Sequence, residues 1–212
     1  MKLIPIIAAA ASIFAASSAY SFTLDFEGAT SFGFVENFYN GGTDSEGASG
    51  INYGASFSSS GISLIDDGTL EFGFSNQPSG ATVLANDGTS VVLNVASGFT
   101  GQVLFFYSSR TDPVSEALLT TVTVFDGLDG TGNIVGSASF SPNSNTNPGF
   151  NTWNLSAVGV IGTGKSVSFG ANGGFIAYDD ITITAVPEPT TALLLALGVA
   201  GLALNARRQH KG

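Results

Sequence analysis

From residue 20 to about residue 185 the chain never sustains apolar residues at helical spacing long enough to build an amphipathic helix. It holds short strand-like segments instead, separated by clusters of Gly, Ser, Asn and Asp. Residues 22–26 (Phe-Thr-Leu-Asp-Phe) alternate apolar and polar with period two, which turns one side of an extended chain toward a core and the other toward water. Residues 55–58, 62–65, 70–74 and 81–84 repeat the pattern less cleanly, and residues 90–95 and 102–108 are more continuously apolar, as central strands often are. Residues 119–125, 134–140, 152–155, 166–169 and 175–184 complete a set of about twelve short strands with turn residues between them. That layout predicts an all-β fold, a single β-sandwich or jelly-roll domain over residues 20–185. The 28 glycines fall mostly in the turns, and phenylalanine sits largely on strand positions, where it supplies the core-forming face.

Both ends depart from this composition. Lys2 precedes a mostly apolar run over residues 3–16, and Ser17-Ser18-Ala19 then offers small residues at the positions a signal peptidase reads. Residues 1–19 are therefore read as a secretory signal peptide with cleavage after Ala19. No twin arginine is present, which favours the general secretory route. At the other end, residues 186–212 comprise Val186-Pro187-Glu188-Pro189, a mostly apolar stretch over 190–206, and a basic end over 207–212 opened by Arg207-Arg208. As a helix the 17 residues from 190 to 206 are about 25 Å long, at the short edge of a single transmembrane helix. The basic end belongs on the cytoplasmic side and the rest of the chain outside. Pro187 and Pro189 hold the backbone extended and end any helix there, leaving a stiff, accessible tripeptide.

Pro-Glu-Pro, an apolar segment and an Arg pair, in that order behind a signal-bearing chain, resemble the PEP-CTERM sorting signal of Gram-negative bacteria. The resemblance implies that Pro187, Glu188, Pro189, Arg207 and Arg208 are read by an exosortase-type membrane enzyme. It further implies that the helix is in the membrane only transiently, and that the domain moves from the inner membrane to the cell envelope or the extracellular biofilm matrix. A permanent single-span anchor is the alternative. Asp25-Phe26-Glu27-Gly28, Asn37-Phe38-Tyr39-Asn40-Gly41-Gly42, Asn52-Tyr53-Gly54 with Phe57, and Tyr178-Asp179-Asp180-Ile181 resemble a pattern common in the ectodomains of such proteins. The opening Phe-Glu-Gly and the closing Asp-Asp-Ile also resemble jelly-roll carbohydrate-binding modules. In those modules the first and last strands pair, and some carry a structural calcium beside that pairing.

Charge narrows the partners. Residues 20–185 hold fifteen acidic residues, all sixteen of the chain except Glu188, against Arg110 and Lys165 alone, a formal charge of −13. Two cations cannot build the basic patch that nucleic acid requires. Acidic polysaccharide and anionic lipid are disfavoured as direct partners unless divalent cations bridge them. The chain has no cysteine, so neither disulfides nor thiolate chemistry contribute.

On the last strand, if Ile181 and Ile183 face the core, period two puts Asp179, Ala177 and Phe175 on the same side and Tyr178, Asp180 and Thr182 outside. Asp179 is then a carboxylate at the rim of the core, and it needs a partner. If the terminal strands pair, Glu27 approaches it where Gly28 turns the chain, and the two are candidate ligands of a structural calcium ion, which favours oxygen donors. Turn amides, Arg110 or Lys165 are the alternative partners of Asp179. The acidic turn Asp126-Gly127-Leu128-Asp129-Gly130-Thr131-Gly132-Asn133 lacks the closing Glu of an EF-hand and lies between two strands, so it reads as a hairpin turn.

The single histidine, His210, lies in the basic end, so the domain can form no Ser–His pair. A two-carboxylate glycosidase needs only acids, but nothing singles out such a pair, and the chain is read as non-catalytic. A carbohydrate-binding role would need exposed aromatic platforms. Trp153 reads as a packing residue, and Tyr178, expected to face outward, is the better exposed candidate.

Overall fold

The computed structural model describes residues 20–66, 73–110, 119–144, 149–174 and 176–185. The signal peptide, its cleavage site at Ala19 and the whole tail over 186–212 lie outside the described residues, as do the strand segment over 70–72 and Phe175.

Within the described residues the fold is all-β. Nine strands follow in order: β1 Tyr20–Leu24, β2 Ala55–Phe57, β3 Gly61–Ile65, β4 Thr82–Asn86, β5 Val91–Ser109, β6 Thr120–Phe125, β7 Ile134–Phe140, β8 Asn154–Phe169 and β9 Ile176–Ala185. Every strand pairing is antiparallel, in the order β3-β4-β9-β5-β8-β6-β7, with β1 added on β9 and β2 on β5.

Four of the expected short strands are halves of two long ones. The segments read at 90–95 and 102–108 are both β5, and those at 152–155 and 166–169 are both β8. The glycines between them are bends rather than turns. Gly98, Gly101 and Gly162 take left-handed φ values of 84°, 82° and 84°, and the β5–β8 register shifts between Asn94 and Phe99 and again before Gly101. Each long strand thus passes through a corner and serves both layers of the sandwich. On one side of the corner Val91–Asn94 pairs with Ser166–Phe169 and β2, and β6 and β7 extend that layer. On the other side Gly101–Tyr107 pairs with Asn154–Val160, and β9 with β1, β4 and β3 extends the second layer.

The core lies between the layers. Leu93, Val95, Phe99, Val103, Phe105, Val122, Val124, Val167, Phe169, Ile181 and Ile183 are all fully enclosed. A smaller apolar cluster of Phe74, Val83, Phe150 and Ala177, flanked by Leu64 and Trp153, covers the other face of β9 at its start. Phe74, the described end of the segment read at 70–74, makes a parallel bridge to Phe150.

Candidate functional site

Three of the segments that resemble the ectodomain pattern meet around β1. Phe26 takes a left-handed φ of 61°, which ends the β1 direction and turns Glu27 away from the strand. Tyr39 fixes that turn: its hydroxyl accepts the Phe26 N–H at 2.6 Å and donates to Asp25 Oδ1 at 3.2 Å. Burial, reinforced by the Asp25 carboxylate, raises the Tyr39 hydroxyl far above its ordinary range, so it stays protonated. Tyr39 also stacks on Tyr53, Tyr53 on Phe22, and Phe26 meets Phe57 edge-on.

β1 pairs with the second half of β9, Leu24 opposite Ile181 and Tyr20 opposite Ala185. This pairing carries Glu27 to the segment over 79–82, where Asp179 also arrives. Glu27 Oε1 accepts the N–H groups of Ala81 at 2.9 Å and Thr82 at 2.7 Å. Asp179 Oδ2 accepts the Ser79 N–H at 3.3 Å, and its Oδ1 accepts the Ser79 hydroxyl at 3.4 Å and the Asp180 N–H at 2.7 Å. Gly80 between them has φ 41°, and a side chain there would run into the Glu27 carboxylate. Two carboxylates from opposite ends of the domain are thus pinned to one short segment. Asp179 has no exposed surface, and its carboxyl is pushed up to about 7. Burial is the main cause; the neighbouring carboxylates of Asp180 and Glu27 add to it, against the lowering effect of the Asp180 and Ser79 N–H groups.

The facing expected for β9 needs correction. Asp180 sits at φ 48°, and the β5–β9 register shifts between Leu104–Thr182 and Phe106–Asp179, so β9 carries one extra residue there. The bulge inverts the alternation. Tyr178 joins Ile181 and Ile183 in the main core at 1 % exposure, its hydroxyl donating to the Gly170 carbonyl at 2.7 Å. Asp179 and Ala177 turn to the opposite face, where Ala177 joins the smaller cluster. Tyr178 is therefore no surface platform. Trp153 is half-buried, packs against the smaller cluster and donates its ring N–H to the Ser75 carbonyl at 3.0 Å.

A second buried acid escaped the sequence reading. Asp44, 3 % exposed, accepts the N–H groups of Thr30 at 2.8 Å, Glu46 at 3.0 Å and Ala48 at 2.8 Å. Burial alone would raise its carboxyl, but these amides outweigh it and hold the group below the ordinary range. The spacing of Asp44 to Glu46 and Ala48 is the only sequence signal, that of an Asp capping its own turn.

Asp126 closes the β6–β7 hairpin by accepting the Asn133 N–H at 2.7 Å and side-chain amide at 2.8 Å, and these bonds lower its carboxyl. Among the described residues no three His, Cys, Asp or Glu side chains are grouped to hold a metal ion. Nor is any helix among them long and apolar enough to cross a membrane.

The tail decides more than the domain does. The family model described as the PEP-CTERM protein-sorting motif matches residues 185–209, spanning Pro187-Glu188-Pro189, the apolar stretch and Arg207-Arg208. Residues 185–209 are a PEP-CTERM sorting motif. The motif marks an exported protein that is held at the membrane for processing by an exosortase. No curated relative matches the chain. Among solved structures, the K2 cleaved adhesin domain of Lys-gingipain is similar at 16% identity and a TM-score of 0.50, over 78% of this chain and 99% of that one. The similarity is one of fold, an all-β sandwich. A mutant of the family 29 carbohydrate-binding module CBM29-2 is also similar, at a lower score (11% identity, TM-score 0.41, 79% of this chain and 93% of that one). So is the family 11 carbohydrate-binding module of Clostridium thermocellum (14% identity, TM-score 0.39, 81% and 99%).

Proposed function

We propose that this chain is an exported, non-catalytic surface or extracellular-matrix protein of a Gram-negative cell, released into the envelope or biofilm matrix when an exosortase-type enzyme processes its tail. Signal peptidase removes residues 1–19, and the segment over 190–206 holds the domain at the inner membrane until processing. The sorting motif over 185–209 carries this reading. Replacing Pro187-Glu188-Pro189 with three alanines should leave the protein in the inner membrane, measured by fractionation and immunoblot. Unchanged release would contradict it.

Exopolysaccharide binding is the alternative role of the sandwich. Its aromatic requirement now rests on the exposed Tyr20 and Phe32, since Tyr178 is enclosed and the rings of Trp153 and Tyr53 are occupied by packing.

We further propose that Glu27 and Asp179 hold a structural calcium ion. What supports this is their convergence on the segment over 79–82 and the high proton affinity of Asp179. A buried carboxyl crowded by Asp180 and Glu27 is a place of negative potential that a divalent cation relieves, and the donors are the oxygens calcium takes. When bound, the ion would neutralise this cluster and tie β1, β9 and the segment over 79–82 together. Melting at pH 8 with calcium and with a chelator tests the reading. A higher midpoint with calcium is expected, and an unchanged one refutes it.

A further inference from the structure

Five of the eight exposed large hydrophobics among the described residues crowd one end of the sandwich: Tyr20, Ile51, Leu128, Ile134 and Ile161. The strand register fixes this. Tyr20 opens β1 opposite Ala185, and Ala185 also pairs with Phe99 at the β5 corner. Phe99 pairs on its other side with Gly164, three residues from Ile161, which is 85 % exposed. Ile51, 65 % exposed, lies in the approach to β2, whose Ala55 pairs with Val95 on the way into the same corner. Phe125 pairs with both Ser166 and Ile134, so the β6–β7 turn with Leu128 reaches that end as well. Tyr20 is also tied to the Ile51 loop, its hydroxyl donating to the Tyr53 carbonyl at 3.2 Å.

This is the end at which the chain leaves the domain. From Ala185 to Thr190, where the apolar tail segment begins, there are five Cα steps, at most about 18 Å of extended chain. While the tail is embedded, a tether that short keeps the Ala185 end near the lipid headgroups. The exposed residues there are the kind that settle at that boundary: tyrosine with an apolar ring and a polar tip, large aliphatics, and the exposed Lys165, whose stem can lie along apolar surface. Asp126 and Asp129 share this end, but both are engaged within the domain, with Asn133 and Asn94.

We infer that this end of the sandwich is a membrane-resting surface, placed against the outer face of a zwitterionic bilayer for as long as the sorting tail is in the membrane. The inference rests on the reading of residues 190–206 as a membrane segment. With a domain charge of −13, the surface should favour uncharged headgroups over anionic ones. It would present the tripeptide over 187–189 at a fixed depth, close to where a membrane-embedded enzyme works.

The chain has no cysteine, so a single introduced thiol gives a unique probe. Residues 20–212 carrying Ile161→Cys, or Ser90→Cys at the opposite end, would be labelled with an environment-sensitive fluorophore. Each would be reconstituted into phosphatidylcholine vesicles with brominated acyl chains. The vesicles should float with the protein, and the label at 161 should shift to the blue and be quenched by roughly twofold or more, with the label at 90 unaffected. Adding Tyr20→Ser and Ile51→Ser should weaken that quenching. Flotation with neither label quenched overturns the resting surface while leaving the membrane tail intact. Failure to float overturns the membrane segment itself, and the resting surface with it.

Discussion

The loop around Asp44 and the meeting point of Glu27 and Asp179 bury the same chemical group with opposite results. Asp44 is enclosed by a single loop whose three N–H groups all aim at its carboxylate, and its proton affinity falls. Asp179 is enclosed by three separate parts of the chain, receives fewer amides, and shares its surroundings with Asp180 and Glu27, so its proton affinity rises to about 7. Burial alone does not decide what a carboxylate becomes. An amide cage makes it a fixed structural anion; like-charged neighbours leave it ready for a proton or a cation.

The largest expected effect is at the cage. Asp44→Ala leaves three loop amides without an acceptor, and the cost of losing bonds to a charged group puts the destabilisation at about 3 kcal/mol. For a domain of this size that lowers the melting midpoint by about 6–12 °C. A shift within a degree or two would erase the difference between the two acids.

A smaller effect of opposite sign is expected at Asp179. Its folded carboxyl binds a proton more tightly than an unfolded one, with an ordinary value of 3.8, so it favours the fold at low pH. That contribution is lost as pH rises from about 4 through about 7, and the loss is complete above 7. Asp179→Asn keeps an acceptor for Ser79 and has no charge to bury. In calcium-free buffer it should stabilise the fold at pH 8 by an amount on the order of 1 kcal/mol, raising the melting midpoint there, and change little at pH 4. Asp44 runs the other way: its contribution is present above the ordinary carboxylate range and disappears as pH falls below it. Midpoints of both variants and the parent from pH 3 to pH 8 sharpen the contrast, and parallel profiles for the two variants would break it.

Sequence pattern carried the fold class because period-two alternation survives along most strands, as in Phe22, Leu24 and Phe26, all of which are buried. It failed where one residue changes the count. Nothing in the alternation of Ile176 to Ile183 marks the bulge at Asp180. The adjacent Asp pair was the usable hint, since Asp tolerates a left-handed backbone better than most residues. The glycines at 98, 101 and 162 read as turns because Gly serves turns and corners alike, and only pairing across layers separates the two uses. The meeting of Glu27 with Asp179 was legible through the pairing of first and last strands, whereas the Asp44 cage depends on loop geometry that no periodicity encodes. The tail was the most legible part of all. A linear motif is read as an extended chain and needs no tertiary contact to be recognised.

That tail carries the central claim, and its fate can be read from mass alone. Intact-mass and terminal-peptide mass spectrometry of the protein recovered from the cell surface and medium should find an N-terminus at Tyr20. They should also find a C-terminus at or near the tripeptide over 187–189, free or joined to a cell-surface group. A mature chain running unbroken through Arg207-Arg208 to Gly212 would contradict the account.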